Sequence, residues 1–525
     1  MKKNIALILI CLFLLSMIVH FLPVWEKGYS FSPMGGDLIL ARNFALTGEY
    51  KIESENNIVL SSDRIKDEGI VCNWGNELTP IIYGQIFKTF GFHKNLPLYI
   101  SLVLWALTGL LLFLLVLKLF NLKLAVIFSL IDIFVPVIIQ GSLMSGFYEF
   151  AILFFVIGLL FYLYKKEVKK TDLVLASFFF GLASLARNAF LVSFIPFVIY
   201  DFWKNRSWKR AVVFVLPFVL LWGIYLAPDY LEGKSNAYFS SSDTSFGRYG
   251  HLFPDPYTFH FEKDQYIEGI LGTSDYTFSE FLLKYDYSVS FKNKLIMYFS
   301  SIKFYPKEFS KLIVTGGPLI ILFLMAGLVY LYRKKRPLFN LFVIWGIVWY
   351  VLLVVLTTNN WDHFLELRFP IVLLISLGVY WLIDFILKLS IQEKFRYLIV
   401  LVFSIFLFLH FVQANKWMLH EEYNTSGLEI ENIIEMANNI NRKQLDKQND
   451  VIAVSICPSI PQALNYYTDN NIIYFDLNTV EKLLDQNKLS WAFEQFGVTK
   501  IIGFDSDISK EIIGQTGIEN IISLE

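Results

Sequence analysis

Charge is what this 525-residue chain has least of: only 17% of its residues are Asp, Glu, Lys or Arg, against about 25% in an ordinary soluble domain. With 55% hydrophobic residues beside that shortage, a single water-soluble globule is excluded and a polytopic membrane protein is expected. The formal charge is −1, so no global basic field draws in nucleic acid, and that class of partner is excluded. The three cysteines, Cys11, Cys72 and Cys457, are an odd number, and Cys11 lies inside an apolar run. They supply neither a disulfide framework nor a metal cluster. No glycine-rich phosphate loop and no His/Cys metal pattern occurs in the sequence.

What is abundant is apolar sequence in helix-length runs. A helix rises about 1.5 Å per residue, so roughly 20 apolar residues cross a hydrocarbon core of about 30 Å. Eleven such segments are expected, at residues 4–23, 97–118, 123–140, 147–164, 173–186, 189–203, 211–227, 311–332, 338–357, 369–388 and 397–414. The first carries the Lys2-Lys3 flank of a signal peptide, but its apolar run is long and no small-residue cleavage site follows. It is read as a retained helix.

Lys and Arg clusters orient such a chain. Lys118 and Lys123, Lys165 to Lys170, Lys204 to Arg210, Arg333 to Arg336, and Lys394 with Arg396 all fall on the Lys2-Lys3 side if eleven crossings are counted. The expectation is therefore a plasma-membrane protein with a cytoplasmic N-terminus and an extracytoplasmic C-terminus. Residues 24–96, 228–310 and 415–525 are left on the outer face with enough length for chemistry. The chain divides into a membrane part, residues 1–414, and a polar segment, residues 415–525. In that segment β-rich runs at 451–456, 472–476, 499–504 and 518–523 alternate with helical spacing such as 480–496, which predicts a small α/β domain.

In the first outer loop Gly35-Gly36-Asp37 opens a short helix that closes at Gly48. Leu38, Ala41 and Ala45 share a face, so the helix is expected to lie along the membrane surface and to hold Asp37 at the interface. Asp37 is read either as a functional carboxylate or as a cap that complements the helix dipole.

Around these residues the sequence resembles a known family. Asp37, Ala41-Arg42-Asn43, Gly48-Glu49-Tyr50, Leu78-Thr79-Pro80-Ile81-Ile82-Tyr83, and Phe87 to Gly91 resemble the first outer loop of the GT-C integral-membrane glycosyltransferases, particularly the protein mannosyltransferase and aminoarabinose transferase group. Gly181 to Arg187, followed by an apolar run with Pro196, and Leu367-Arg368-Phe369-Pro370 extend the likeness through the membrane part. The resemblance implies transfer of a sugar from a polyprenyl-phosphate donor to a lipid, glycan or protein acceptor on the outer face. It makes Asp37 the catalytic or acceptor-orienting carboxylate, and Glu149 the second acidic position. Some members carry two adjacent acids in the first loop, whereas here Asp37 is followed by Leu38.

Displacing a lipid phosphate from an anomeric carbon requires a base at the acceptor hydroxyl and cations at the departing phosphate. Glu149 at the start of the fourth segment is read as a catalytic acid residue or as a headgroup-level helix carboxylate. Arg187, Arg248 and Arg368 are the expected phosphate ligands, arginine being suited to bidentate contact, with snorkelling to lipid as the plain reading of Arg187 and Arg368. Tyr249 and His251, in Phe246-Gly247-Arg248-Tyr249-Gly250-His251, and His363 are candidates for substrate contact. Asp132, midway along the third segment, is expected to be a neutral or hydrogen-bonded structural residue, with a proton path as the transporter alternative.

Asp505-Ser506-Asp507 matches a metal-binding pattern but is better explained as a turn or helix cap after a strand. Arginine suffices for a monophosphate leaving group, so no obligatory cofactor or metal is expected, while the sequence does not exclude a divalent metal. A transporter or flippase of lipid-linked saccharides is the alternative. It predicts internal repeats or paired broken helices, with Gly316-Gly317-Pro318 as a candidate interruption of the eighth segment.

Overall fold

The computed structural model describes residues 2–27, most of 38–48, nearly all of 78–231, residues 317–356, nearly all of 365–422, and parts of the segment from 436 to 522. It is mainly helical. The apolar sequence folds as α1 (Lys2–Lys27), α2 (Leu78–Phe90), α3 (Leu96–Leu119), α4 (Leu122–Phe134), α5 (Pro136–Leu143), α6 (Glu149–Leu163), α7 (Lys170–Ala186), α8 (Phe190–Asn205), α9 (Trp208–Leu231), α10 (Gly317–Lys334), α11 (Arg336–Leu356), α12 (Arg368–Leu387) and α13 (Glu393–Glu422). Helix formation is the expected outcome for these runs, because a helix satisfies its backbone hydrogen bonds within one segment.

A helix covers each of the eleven predicted segments, in whole or in large part, with one change. The third segment is two helices, α4 and α5, bent by 58° at Val135. Pro136 has no N–H to donate, and it pushes Val135 out of the helical region to φ −67°, ψ 124°. Two carbonyls at the break are met from elsewhere: His20 Nε2 lies 3.3 Å from Ile133 O, and Asn415 Nδ2 donates to Phe134 O at 2.8 Å. Because a carbonyl only accepts, His20 carries its proton on Nε2. Among the described residues, five helices are long and apolar enough to cross a membrane, or six if the bent pair is one span. The Gly317-Pro318 pair opens α10, with proline in its first turn.

The core is strongly aromatic. Phe155, Phe180, Phe194, Phe197, Phe214 and Trp345 are all buried and pack ring against ring across α6, α7, α8, α9 and α11. Glycine closes the contact between α10 and α12: a Cβ on Gly327 would stand 2.0 Å from Leu374 O, and one on Gly378 would stand 2.2 Å from Phe323 O. Small residues at a crossing let two backbones approach in this way.

The Lys/Arg loops gather at one end of the bundle. Arg210 Nη1 donates to Val168 O at 3.0 Å, Lys118 lies over Tyr164, and Lys335 lies over Phe120. The alternation of helices then puts the starts of α3, α6 and α8 and the end of α7 at the opposite end.

Within the C-terminal segment β1 (Val451–Val454), β2 (Asn471–Tyr474), β3 (Val498–Ile502) and β4 (Asn520–Ile522) form a parallel sheet of order β2-β1-β3-β4. Parallel neighbours need crossovers. Helices α14 (Leu489–Gln495) and α15 (Ser506–Thr516) lie in two of them and cover a core that includes Ala453, Phe493, Ile501 and Ile512. Ser506 and Asp507 are the first residues of α15.

Candidate functional site

At the end of the bundle away from the basic loops, four stretches of sequence meet. Glu149 begins α6 and is 1% exposed. Its carboxylate accepts hydrogen bonds from Gly146 N at 2.7 Å (Oε1), from Tyr148 N at 3.1 Å (Oε2) and from the Tyr83 hydroxyl (Oε1). A buried carboxylate is tolerable because charged acceptors are met by several donors. The arrangement locks the turn from 146 to 149 against α2. Glu149 is therefore enclosed by protein, and these three donors hold it.

Helix α2 supplies the other half of the frame. Thr79 Oγ1 donates to Ala186 O at 3.1 Å, the last residue of α7, and the Tyr83 hydroxyl also reaches Pro97 O at 3.3 Å. Arg187 follows at once and caps α7 in an extended conformation, with its guanidinium carbon 4.9 Å from the centre of the Tyr148 ring. Tyr148 is fully buried and its ring also meets Phe190 at the start of α8. Arg187 is partly exposed, and its guanidinium stands one residue from Glu149 through that shared tyrosine.

Helix is present where it was expected after Asp37: residues 38, 41–42 and 44–46 are helical. Leu38 and Ala41 are buried. A Cβ on Gly84 of α2 would fall 2.6 Å from the Phe44 ring and 3.2 Å from Ala41 O, so this helix rests on α2. Gly146 has φ +84° and a Cβ there would be 3.0 Å from the Leu38 side chain. The positive φ favours glycine here, and any side chain would also press on Leu38. Leu38, the residue after Asp37, thus lies against the turn that Glu149 locks. Arg42, on the same helix, is buried at 6% exposure.

Asp37, Arg248, Tyr249, His251 and His363 lie outside the described residues. Arg368 does not join this cluster through any described contact. It is 4% exposed, its Nε donates to Asp132 Oδ1 at 2.8 Å and its Nη2 to Oδ2 at 2.6 Å, and it stacks 4.8 Å from the Trp105 ring. Of the two readings of Asp132, neutral or hydrogen-bonded structural residue, the second describes it: it accepts both hydrogen bonds as the ion-pair partner of Arg368. The pair corrects the snorkelling reading of Arg368, whose head group is directed into the protein. Sequence reasoning passed over Tyr83, Thr79 and Asp132 as site partners. The signal available for Asp132 was its position as the sole acid in a long apolar run, which calls for a partner; nothing in the sequence said which partner. Among the described residues no group of three His, Cys, Asp or Glu side chains is placed to hold a metal ion.

No protein-family model matches the chain, and no curated protein matches it. Solved structures do. The archaeal oligosaccharyltransferase AglB from Archaeoglobus fulgidus, in complex with an inhibitory peptide and a dolichol-phosphate, is similar over 95% of this chain and 69% of its own, with 13% identity and a TM-score of 0.52. The Archaeoglobus fulgidus oligosaccharyltransferase in complex with Zn and sulfate is similar over 94% and 67%, with 12% identity and a TM-score of 0.51. ArnT from Cupriavidus metallidurans bound to undecaprenyl phosphate covers 98% of this chain and 89% of its own at 11% identity and a lower TM-score of 0.48. The likeness is one of fold: the chain has the fold of the GT-C membrane glycosyltransferases.

Proposed function

We propose that this chain is a membrane glycosyltransferase that moves a sugar from a polyprenyl-phosphate donor to a lipid, glycan or protein acceptor at the outer face of a plasma membrane. The observation that carries the reading is the meeting of the Leu38 helix, the Gly146–Glu149 turn and Arg187 at the end of the bundle remote from the basic loops. It brings the sequence next to Asp37 beside a partly exposed arginine, the two residue types that the reaction needs.

In the proposed reaction Asp37 accepts the proton of the acceptor hydroxyl as its oxygen forms a bond to the anomeric carbon. The bond from that carbon to the lipid phosphate breaks, and the phosphate leaves with the electron pair. Arg187 meets the developing phosphate charge. Arg248, with Tyr249 and His251, is proposed to approach the donor from the 228–310 stretch, and His363 is a further substrate contact in this reading. Glu149 acts as a positioning residue that holds the turn under Leu38, and Arg368 acts through Asp132 to hold the start of α12. Arginine chemistry accounts for a monophosphate leaving group, so the mechanism calls for no metal. The transporter alternative predicts paired broken helices, and the described residues contain one bent pair.

The test is purification in mild detergent with identification of bound lipid by mass spectrometry, followed by single-turnover transfer from the lipid that is found. A polyprenyl phosphate glycoside is expected in the wild type and in Asp37→Asn, strongly reduced in Arg187→Gln, with transfer abolished by Asp37→Asn. Full transfer by Asp37→Asn removes that residue from the mechanism. A folded preparation that never binds a polyprenyl phosphate overturns the reading.

A further inference from the structure

At the end of the bundle opposite Glu149 lies a cavity of about 530 Å³. Its lining combines Lys165, Lys204, Arg210 and Lys335, with Asp201 and Glu167 among them, and an apolar part that includes Leu119, Leu163 and the buried Leu338 and Leu341. Two of the four cations are already matched. Arg210 donates from Nε and Nη2 to the Asp201 carboxylate at 2.9 to 3.2 Å and from Nη1 to Val168 O, and Lys165 donates to Asp172 at 2.6 Å. Asn205 also donates to Asp201, at 3.1 Å, which further fixes that carboxylate.

Lys204 and Lys335 are different. Both are exposed, and among the described residues each meets only an aromatic face, Lys204 at 5.9 Å from the Tyr200 ring centre and Lys335 at 5.5 Å from Phe120. Neither makes an ion pair among the described residues. Two unmatched ammonium groups beside an apolar lining, in a recess between helix ends, form an amphipathic receptor for an anion that carries a hydrophobic tail. Basic pockets between membrane helices take the phosphates of acidic lipids by this combination, and the volume lies within the range of small-ligand sites.

We propose that this recess binds the phosphate group of an anionic phospholipid, with Lys204 and Lys335 on the phosphate and the leucine lining against the acyl chains. It is distinct from the Glu149 site and does not depend on the proposed sugar transfer. With Arg210 matched to Asp201 and Lys165 to Asp172, the two lysines are left as the contacts that discriminate charge.

The test uses the full chain, delipidated and titrated with phosphatidylglycerol or phosphatidylcholine vesicles, with bound lipid read by native mass spectrometry. Lys204→Gln/Lys335→Gln is compared with Lys209→Gln/Lys334→Gln, which removes the same charge from the same end without touching the cavity lining. All four lysines are exposed, and an unchanged thermal midpoint confirms folding. The expected result is selective loss of phosphatidylglycerol binding in the first pair, at about fivefold per lysine, with little change in the second. Equal losses in both pairs, or no loss in the first, overturn the proposal. Displacement of the lipid by inorganic phosphate at millimolar concentration overturns the lipid as the source and leaves a free-phosphate site.

Discussion

Arg368 and Asp132 are 236 residues apart in sequence and joined by two parallel hydrogen bonds, Nε to Oδ1 at 2.8 Å and Nη2 to Oδ2 at 2.6 Å, with both side chains almost fully buried. The pair ties the start of α12 to the last turn of α4, just before the bend at Val135. Removing one partner leaves a buried charge without its counter-ion, which costs about 3–5 kcal/mol. Asp132→Ala and Arg368→Ala are each expected to lower the thermal midpoint of the detergent-solubilised protein steeply. The paired replacement Asp132→Leu/Arg368→Met is expected to recover much of that loss. A double variant as unstable as the sum of the two singles would show that the residues do not act as a pair.

Tyr83→Phe removes the hydroxyl that Glu149 accepts. A hydrogen bond to a charged group is worth about 1.5–3 kcal/mol. The expected outcome is a moderate loss of stability together with a fall in kcat for sugar transfer and little change in donor KM, because the locked turn supports the Leu38 helix without binding the donor. A change confined to KM would give Tyr83 a direct donor contact instead.

Gly146→Ala introduces a Cβ at φ +84° and at 3.0 Å from Leu38. A non-glycine residue in that region costs about 1–3 kcal/mol, and the contact with Leu38 must also open. Hydrogen exchange over residues 38–46 is expected to rise in this variant, while exchange in α10 and α12 stays as in the wild type. Unchanged protection of 38–46 would separate that segment from the turn.

Asn415→Leu leaves Phe134 O without its side-chain donor at the α4–α5 break. An unmet buried carbonyl costs about 1–3 kcal/mol; Phe134 O is partly buried, so a loss at the lower end of that range is expected, read as a fall in the thermal midpoint. Combining Asn415→Leu with Pro136→Ala is expected to recover little of the loss, because the N–H restored at residue 136 serves the carbonyl four residues back, Asp132 O, and not Phe134 O. A larger loss in the double variant would mean that the bend itself is required for packing.

Much of this protein is legible residue by residue. Runs of about 20 apolar residues must become helices in a membrane because only a helix satisfies its own backbone there, and the Lys/Arg loops sort those helices into two ends without any knowledge of packing. The strand runs of the C-terminal segment show in the same local way, through β-branched residues between polar breaks. Pro136 marked the bend, but a hydropathy count does not register a missing N–H, and the third segment read as continuous. What the chain could not announce is partnership. Asp132 with Arg368, Tyr83 with Glu149, and Leu38 on Gly146 join residues distant in sequence. A side chain carries its charge or hydroxyl in the sequence, but the group that answers it is set by which helices pack together, and that was decided only when the aromatic core and the close glycine crossings brought those helices into contact.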